Sequence, residues 1–197
     1  MSVLDAIIEG VREDLAARRM ALSELHELLE SAPKVISPVF PIDQLSVIAE
    51  VKRRSPSKGE LSEIPEPARL AAKYQEAGAA AVSVLTEKRR FNGSLEDFDA
   101  VRKEISLPML RKDFMVDDYQ VFEARAFGAD CILLIVAGLG DSQMADLNDQ
   151  ALDLGLSVLV EVHNEEELER ALADLRQRAK QETLAMKAAE DSAKSAE

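Results

Sequence analysis

Charged side chains interrupt three otherwise apolar, strand-like segments of this 197-residue chain. Glu50 and Lys52 lie in the run VIAEVK, Lys112 ends the run PMLRK, and Glu161 lies in VLVEV. Carboxylate and ammonium groups that face a reacting molecule can accept and donate protons, which is the basis of general acid and base catalysis. Burying such charges in a sheet is costly unless they pair. The pattern therefore predicts a site of proton transfer.

The first pair of charges also has a structural interpretation. Residues i and i+2 of a strand point to the same face, so Glu50 and Lys52 should emerge side by side. A surface ion pair on an edge strand would explain these two residues equally well. Charge at the carboxyl ends of three strands is harder to explain by packing alone. Such ends are where barrel and doubly wound enzymes place their chemistry.

The elements that would position these residues alternate between strand and helix. Apolar runs of strand length begin at residues 47, 80, 108, 131 and 158. Helical patterns separate them, and proline, serine and glycine signals mark the helix ends. This alternation implies parallel strands that are joined by right-handed crossovers. Apolar spacing also predicts two helices near the start of the chain, and prolines mark residues 33–45 as a connector.

Composition indicates a soluble globular protein, with 47% hydrophobic and 31% charged residues. A net charge of −13 argues against nucleic acid as a partner, although the basic cluster in residues 52–58 suits a small anionic ligand. We find no pattern of a signal peptide or a membrane span, so we expect a cytoplasmic protein with no membrane partner. The single cysteine, Cys131, is predicted to be a core residue.

Five segments resemble one enzyme family in their order and spacing. They are IAEVKRRSPSKG, LTEKRRFNGS, LPMLRKDF, ADCILLIVA and LVEVH. The chain resembles indole-3-glycerol-phosphate synthase, the (β/α)8-barrel lyase of tryptophan biosynthesis, over roughly residues 1–172. This resemblance implies ring closure of 1-(2-carboxyphenylamino)-1-deoxyribulose 5-phosphate with loss of carbon dioxide and water. It also implies that neither a metal nor an organic cofactor takes part.

The resemblance assigns roles to the charged residues. Lys112 matches the family's general acid, which protonates the alkoxide that develops as the ring closes. Glu161 matches the base, while Glu50 and Lys52 match a pair that orients the substrate and assists the dehydration. Which group moves which proton stays open. The substrate-binding positions that match the family are Ser55, Pro56, Phe91, Phe114 and Leu133.

Several of these residues have ordinary structural interpretations. Phe91 and Phe114 could be loop or core aromatics, and Leu133 could be a core residue. We interpret His26 and His163 as structural.

The end of the chain departs from the family pattern, because residues 164–197 contain no Gly, Pro, Val, Ile or aromatic residue. A complete barrel needs three more strands, with phosphate-binding loops after the last two. We therefore expect an α/β fold: an incomplete (β/α)8 TIM barrel with about five parallel strands over residues 46–172. A helical extension with its connector would precede it over residues 1–45. A helical or partly disordered tail would follow over residues 173–197.

Two functional hypotheses follow. The first is an indole-3-glycerol-phosphate synthase-like lyase that acts on a small anionic phosphorylated substrate and is impaired by C-terminal truncation. The second is a catalytically silent barrel fragment that acts as an interaction module. Its open sheet edges would favour self-association or pairing with a partner chain. A third option, a phosphoribosylanthranilate isomerase, fits the long first motif poorly.

Overall fold

A parallel sheet organises the chain in the computed structural model, which describes residues 2–173, 175–176 and 179–180. The strands are β1 (Ile48–Val51), β2 (Arg54–Ser55), β3 (Gly59–Glu60), β4 (Ala81–Leu85), β5 (Met109–Lys112), β6 (Cys131–Ile135) and β7 (Ser157–Glu161). The sheet has the order β1-β4-β5-β6-β7, and each neighbouring pair is parallel. The short strands β2 and β3 pair with each other in an antiparallel ribbon.

Two helices precede the sheet and the others connect its strands, as the sequence predicts. They are α1 (Val3–Arg18), α2 (Leu22–Ser31), α3 (Pro67–Glu76), α4 (Leu95–Glu104), α5 (Asp118–Ala126) and α6 (Asp141–Asp153). A further helix begins at residue 165 and continues through residue 173. Helix α4 has the predicted N-cap, because the Ser94 hydroxyl accepts the backbone N–H of Asp97. Where the structure is described, no helix is both long enough and apolar enough to cross a membrane.

The domain boundaries near residues 45 and 172 stay predictions. Most of the predicted tail, residues 173–197, lies outside the described residues.

The centre of the sheet is buried on both faces. One face packs against the helices in the main core, which includes Val82, Val84, Phe98, Val101, Met109, Ile132 and Leu134. The opposite face carries a smaller cluster of Leu110, Cys131 and Leu133, with Ile135 packed against it. The prediction of Cys131 as a core residue is therefore confirmed. Near-continuous apolar runs such as CILLI arise because both faces of a central parallel strand are covered.

The outer strands differ from the central ones. All of β4 is buried, whereas Ile48 in β1 and Leu159 in β7 are 44% and 42% exposed. The apolar run of the first strand predicts a buried strand, and this prediction is wrong for Ile48, because β1 is an edge strand that pairs only with β4 in the described sheet. Within the described residues the sheet does not close, which is the incomplete-barrel architecture that the sequence predicts.

Helix α1 packs beside the loops that follow β4 and β5. Its residues Ile7 and Val11 form a cluster with Val116, and Phe114 packs against that cluster. Helix α2 packs on α5 instead, through a separate cluster that includes Leu25. The N-terminal extension therefore borders the carboxyl-terminal edge of the sheet, where the predicted site lies.

Candidate functional site

One cavity of about 430 Å³ lies at the carboxyl-terminal edge of the sheet. Of the residues singled out in the sequence, it is lined by Glu50, Lys52, Phe91, Lys112, Phe114, Leu133 and Glu161. The structure thus brings together the predicted charged groups and three of the predicted apolar ones. Their chemical roles stay predictions.

The strand register explains why the charges converge. Along the sheet, Leu85 of β4 is paired with Lys112 of β5. Ile135 of β6 is paired with Glu161 of β7, so Lys112 and Glu161 lie on either side of β6. Their long side chains span this distance, and Lys112 Nζ lies 2.7 Å from Glu161 Oε2. The two side chains are 24% and 33% exposed, so the pair is open to the cavity.

Glu50 and Lys52 form a second pair in the same lining. Lys52 Nζ donates to Glu50 Oε1, as the i and i+2 spacing predicts. The Ser83 hydroxyl donates to the other oxygen of Glu50 at 3.5 Å. The pair lies at the end of the edge strand β1 and also lines the cavity. It is therefore an ion pair at the sheet edge, as the structural interpretation predicts, and it is also part of the predicted site.

The apolar wall of the cavity combines loop aromatics with the N-terminal helix. The ring centroids of Phe91 and Phe114 lie 6.1 Å apart, and their planes are inclined by 43°. Leu133 is buried among core residues and also reaches the cavity. Helix α1 adds apolar side chains that the sequence did not reveal as site residues: Val3, Leu4 and Ile7.

A buried carboxylate shapes the loop that carries Phe91. Glu87 is 3% exposed and accepts the backbone N–H groups of Arg89, Arg90 and Phe91 at 3.0, 2.7 and 3.0 Å. The loop then returns close to β4 at Gly93, where a Cβ atom would lie only 2.2 Å from the Leu85 carbonyl oxygen. The run LTEKRRFNGS contains both residues, but sequence alone did not distinguish Glu87 from a solvent-exposed charge.

Behind Lys112, a buried ionic network supports the loop after β5. Arg111 is fully buried, and its Nη2 lies 3.0 Å from Asp113 Oδ2 and 2.8 Å from Glu123 Oε2. Arg18 of α1 binds both oxygens of Glu123, at 2.9 and 3.1 Å. Asp113 also accepts the backbone N–H of Phe114 at 2.8 Å. The network therefore ties α1 and α5 to the strand that carries Lys112.

Burial and charge act in opposite directions on Glu123. Burial alone would raise the pKa of its carboxyl group, but the charges and hydrogen bonds of Arg111 and Arg18 outweigh that effect. The pKa of Glu123 therefore lies below its ordinary value, and the group stays ionised.

His163 lies at the rim of the cavity, which the sequence did not predict. Its Nε2 lies 3.2 Å from Glu161 Oε1, and its Nδ1 lies 3.2 Å from Glu167 Oε2. The pKa of Glu167 is lowered, chiefly because its carboxylate accepts the backbone N–H of His163. Both residues belong to the cavity lining.

Two predicted features fall outside this arrangement. Ser55 and Pro56 are not among the described lining residues, and Ser55 Oγ instead accepts the backbone N–H of Lys58 within the ribbon turn. Their contact with substrate stays a prediction.

Three of the four cations in residues 52–58 have a carboxylate partner, and the match of this cluster to an anionic ligand stays a prediction. Lys52 is paired with Glu50, Arg53 binds Asp97, and Arg54 Nε lies 3.6 Å from Glu60 Oε1. A carboxylate thus partners each of these cations. In the described part of the chain, no group of three or more His, Cys, Asp or Glu side chains is arranged to hold a metal ion.

Parallel strands alternating with helices, with charged side chains at the carboxyl edge, are the arrangement found in enzymes built on the (β/α)8 barrel. A family model of indole-3-glycerol phosphate synthase matches residues 4–178. The chain is 54% identical over 182 residues to the indole-3-glycerol phosphate synthase of Paenarthrobacter aurescens, covering 88% of this chain and 67% of that protein. It is 58% identical over 177 residues to that of a Nocardioides species, covering 88% and 68%. The chain therefore belongs to the indole-3-glycerol phosphate synthase family.

Proposed function

We propose that this chain catalyses the indole-3-glycerol phosphate synthase reaction of tryptophan biosynthesis, as a lyase acting on a small phosphorylated substrate. In this reaction, 1-(2-carboxyphenylamino)-1-deoxyribulose 5-phosphate loses carbon dioxide and water as the indole ring closes. The contact of 2.7 Å between Lys112 Nζ and Glu161 Oε2, inside a cavity with apolar walls, carries the proposal. Membership of the family supports it.

The Lys112 and Glu161 pair fits the proton transfers of this reaction. As the aromatic carbon attacks the ketone, the ketone oxygen becomes an alkoxide, and Lys112 donates a proton to it. Decarboxylation then removes the carboxylate from the ring carbon that attacked the ketone. Loss of water requires a proton for the departing hydroxyl and a base for the proton that leaves the ring system. Because Glu161 contacts Lys112, a proton that Glu161 accepts can return directly to Lys112.

The remaining lining residues fit binding and orientation. Phe91 and Phe114 supply an apolar wall against which an aromatic ring can pack and from which water is excluded. Glu50 lies on β1 and Lys52 directly follows that strand, at the opposite edge of the sheet from Glu161 on β7. A substrate between them would meet a cation and a carboxylate from each side, and we propose that this second pair orients it and assists the dehydration.

Turnover of the carboxyphenylamino substrate, followed by the fluorescence of the indole product, tests the proposal. We expect Lys112→Ala to lower the turnover number by roughly 100-fold to 10,000-fold, the usual range for loss of a general acid. Lys103→Ala is the matched control, because Lys103 is a 73% exposed lysine on α4 that pairs with Asp99. A chain without turnover at any protein concentration, or an unaffected Lys112→Ala variant, would overturn the proposal.

The half-exposed apolar residues of the sheet edges favour a second candidate, an interaction module without catalysis. Ile48 and Leu159 lie on strands β1 and β7, each of which pairs on one side only within the described residues. Sedimentation over a range of protein concentrations tests this candidate. Concentration-dependent association without turnover would favour it, whereas a monomer with turnover would exclude it.

A further inference from the structure

The imidazole of His163 lies between two carboxylates at the rim of the cavity. Its Nε2 faces Glu161 Oε1 and its Nδ1 faces Glu167 Oε2, each at 3.2 Å. The side chain is 57% exposed, so neither burial in the core nor close packing explains this placement. Within the cavity lining as described, it is the one side chain that contacts the carboxylate of Glu161 from the side away from Lys112.

Glu161 has a polar neighbour at each of its two carboxylate oxygens. Oε2 accepts from Lys112 at 2.7 Å, and Oε1 lies against His163. A carboxylate that is held at one oxygen only can rotate about its terminal torsion, which has a broad energy profile. Held at both oxygens, it keeps one oxygen directed at the lysine. A base that is oriented by a further group is a recurring arrangement in catalytic sites.

Glu167 in turn fixes the imidazole. Its Oε2 accepts the backbone N–H of His163 at 2.8 Å and also faces Nδ1 of the same residue. Its Oε1 accepts from Asn164 Nδ2 at 2.7 Å, and Asn164 Oδ1 accepts the backbone N–H of Glu167 at 2.9 Å. These bonds lie at the start of the helix that begins at residue 165. The contacts therefore form a chain: Glu167 contacts His163, His163 contacts Glu161, and Glu161 contacts Lys112.

We propose that His163 is a positioning residue, which holds Glu161 in contact with Lys112 and is itself held by Glu167. The effect on catalysis rests on the proposed function, in which Glu161 accepts a proton. The contact between His163 and Glu161 does not depend on that function. A neutral imidazole has one N–H and can donate to only one of the two carboxylates, while the imidazolium form donates to both.

Nitrogen NMR of the two histidine rings tests the contact without any turnover. The chain contains two histidines, so the signals of His26 and His163 are readily separated. His26 is an internal control, because it pairs with Glu30 four residues on, as His163 does with Glu167, but lies 73% exposed on α2. All spectra are recorded at one and the same alkaline pH.

Glu161→Ala should change the tautomer of His163 alone. With Glu161 removed, only Glu167 remains to accept from the ring, so we expect the Nδ1–H form of His163 to increase and the His26 signals to stay unchanged. His163 signals that do not respond to Glu161→Ala would overturn the contact, and with it the inference.

Kinetics of His163→Ala and His163→Gln test the consequence for turnover. We expect His163→Ala to lower the turnover number by on the order of 10-fold with little change in KM, because the base is misplaced rather than lost. The amide of His163→Gln can still donate to Glu161, so this variant should recover most of the loss. His26→Ala should match the unaltered chain.

The two measurements separate the possible failures. Absence of turnover in the unaltered chain overturns the proposed function. In that case the NMR spectra still show whether His163 contacts Glu161. Normal turnover in His163→Ala, in a chain that is otherwise active, overturns the positioning role alone. Equal losses of turnover in His163→Ala and His163→Gln would also overturn the positioning role. A side chain that can donate a hydrogen bond to Glu161 would then give no advantage over alanine.

Discussion

Arg111 and Lys112 are neighbours in the chain, and each pairs with a carboxylate, yet the two pairs lie in different environments. Successive residues of a strand point to opposite faces. Arg111 is fully buried and meets Glu123, which is 1% exposed, on the helix side of the sheet. Lys112 points into the cavity and meets Glu161, with a quarter to a third of each side chain exposed. The same type of ion pair is thus part of the core in one case and accessible to a substrate in the other.

The environments give the two pairs different energetic consequences. A buried charge that loses its partner cannot be solvated, so breaking a buried pair usually costs about 3–5 kcal/mol. A partly exposed charge that loses its partner is solvated by water, and such pairs contribute about 0–1 kcal/mol. The pair at the cavity can therefore be disrupted by substrate at little cost to the fold, whereas the buried pair cannot.

Removal of Glu123 should have the largest effect on stability. We expect Glu123→Ala to lower the free energy of unfolding by about 3–5 kcal/mol, because Arg111 loses a partner at 2.8 Å inside the core. Urea denaturation followed by circular dichroism measures the change. Glu161→Ala is the matched comparison, and we expect it to cost less than about 1 kcal/mol.

A conservative substitution covers the case in which Glu123→Ala does not fold. Glu123→Gln removes the charge but keeps a side-chain oxygen that can accept from Arg111, which retains Asp113 as its charged partner. We expect this variant to fold and to be more stable than Glu123→Ala. Equal costs for Glu123→Ala and Glu161→Ala would mean that burial does not distinguish the pairs.

The same comparison shows what sequence could and could not predict. Alternation of strands and helices was predictable, because apolar runs and glycine or proline signals are local. Convergence of Glu50, Lys112 and Glu161 was predictable too, since the carboxyl ends of parallel strands share one edge. Arg111 was not recognised as a buried residue, because its partner Glu123 lies on a helix where a charge normally indicates solvent.

Two other parts of the site were not identified from the sequence. The apolar wall from α1 depends on distant contacts, among them the packing of Ile7 and Val11 on Val116 and the bond of Arg18 to Glu123, 105 residues further on. The position of His163 beside Glu161 follows from local geometry at the end of β7, but sequence alone did not separate this histidine from His26. Neither feature has a local pattern that identifies it.

Acid should weaken the buried pair of Arg111 and Glu123. The pKa of Glu123 is lower in the folded chain than its ordinary value, so its contribution is complete above the unfolded pKa of about 4.3 and is lost as the pH falls through the folded value. We therefore expect the free energy of unfolding to fall with decreasing pH below about 4.3, and Glu123→Gln to remove part of that slope.

Asp130 changes the free energy of unfolding in the opposite direction as the pH falls. Burial raises its pKa above the ordinary value, although the backbone N–H groups of Ile36 and Met109 and the charge of Arg102 oppose that effect. Protonation of Asp130 in acid therefore favours the folded state. The difference between the unaltered chain and Glu123→Gln at each pH cancels this contribution, and an unchanged slope would contradict the role of Glu123.

Thr86→Val should have a smaller effect on the same network. The Thr86 hydroxyl donates to Asp113 Oδ2 at 2.6 Å, but Asp113 keeps the donors from Arg111 and from the backbone of Phe114. The hydroxyl also accepts from Arg111 Nε at 3.3 Å, so the substitution removes two hydrogen bonds, and we expect the free energy of unfolding to fall by about 1–3 kcal/mol. A loss as large as that of Glu123→Ala would show that the hydroxyl, rather than the ion pairs, holds the loop.

The exposed pair of Asp99 and Lys103 on α4 should have the smallest effect. Lys103 Nζ lies 2.5 Å from Asp99 Oδ2, a shorter distance than in either of the other pairs, but the side chains are 73% and 40% exposed. A double-mutant cycle with Asp99→Ala and Lys103→Ala should give a coupling of about 0.3–0.5 kcal/mol, reduced further by salt. Distance alone would rank this pair first among the three. A coupling above about 1 kcal/mol would therefore indicate that geometry, and not access to water, sets the strength of ion pairs in this fold.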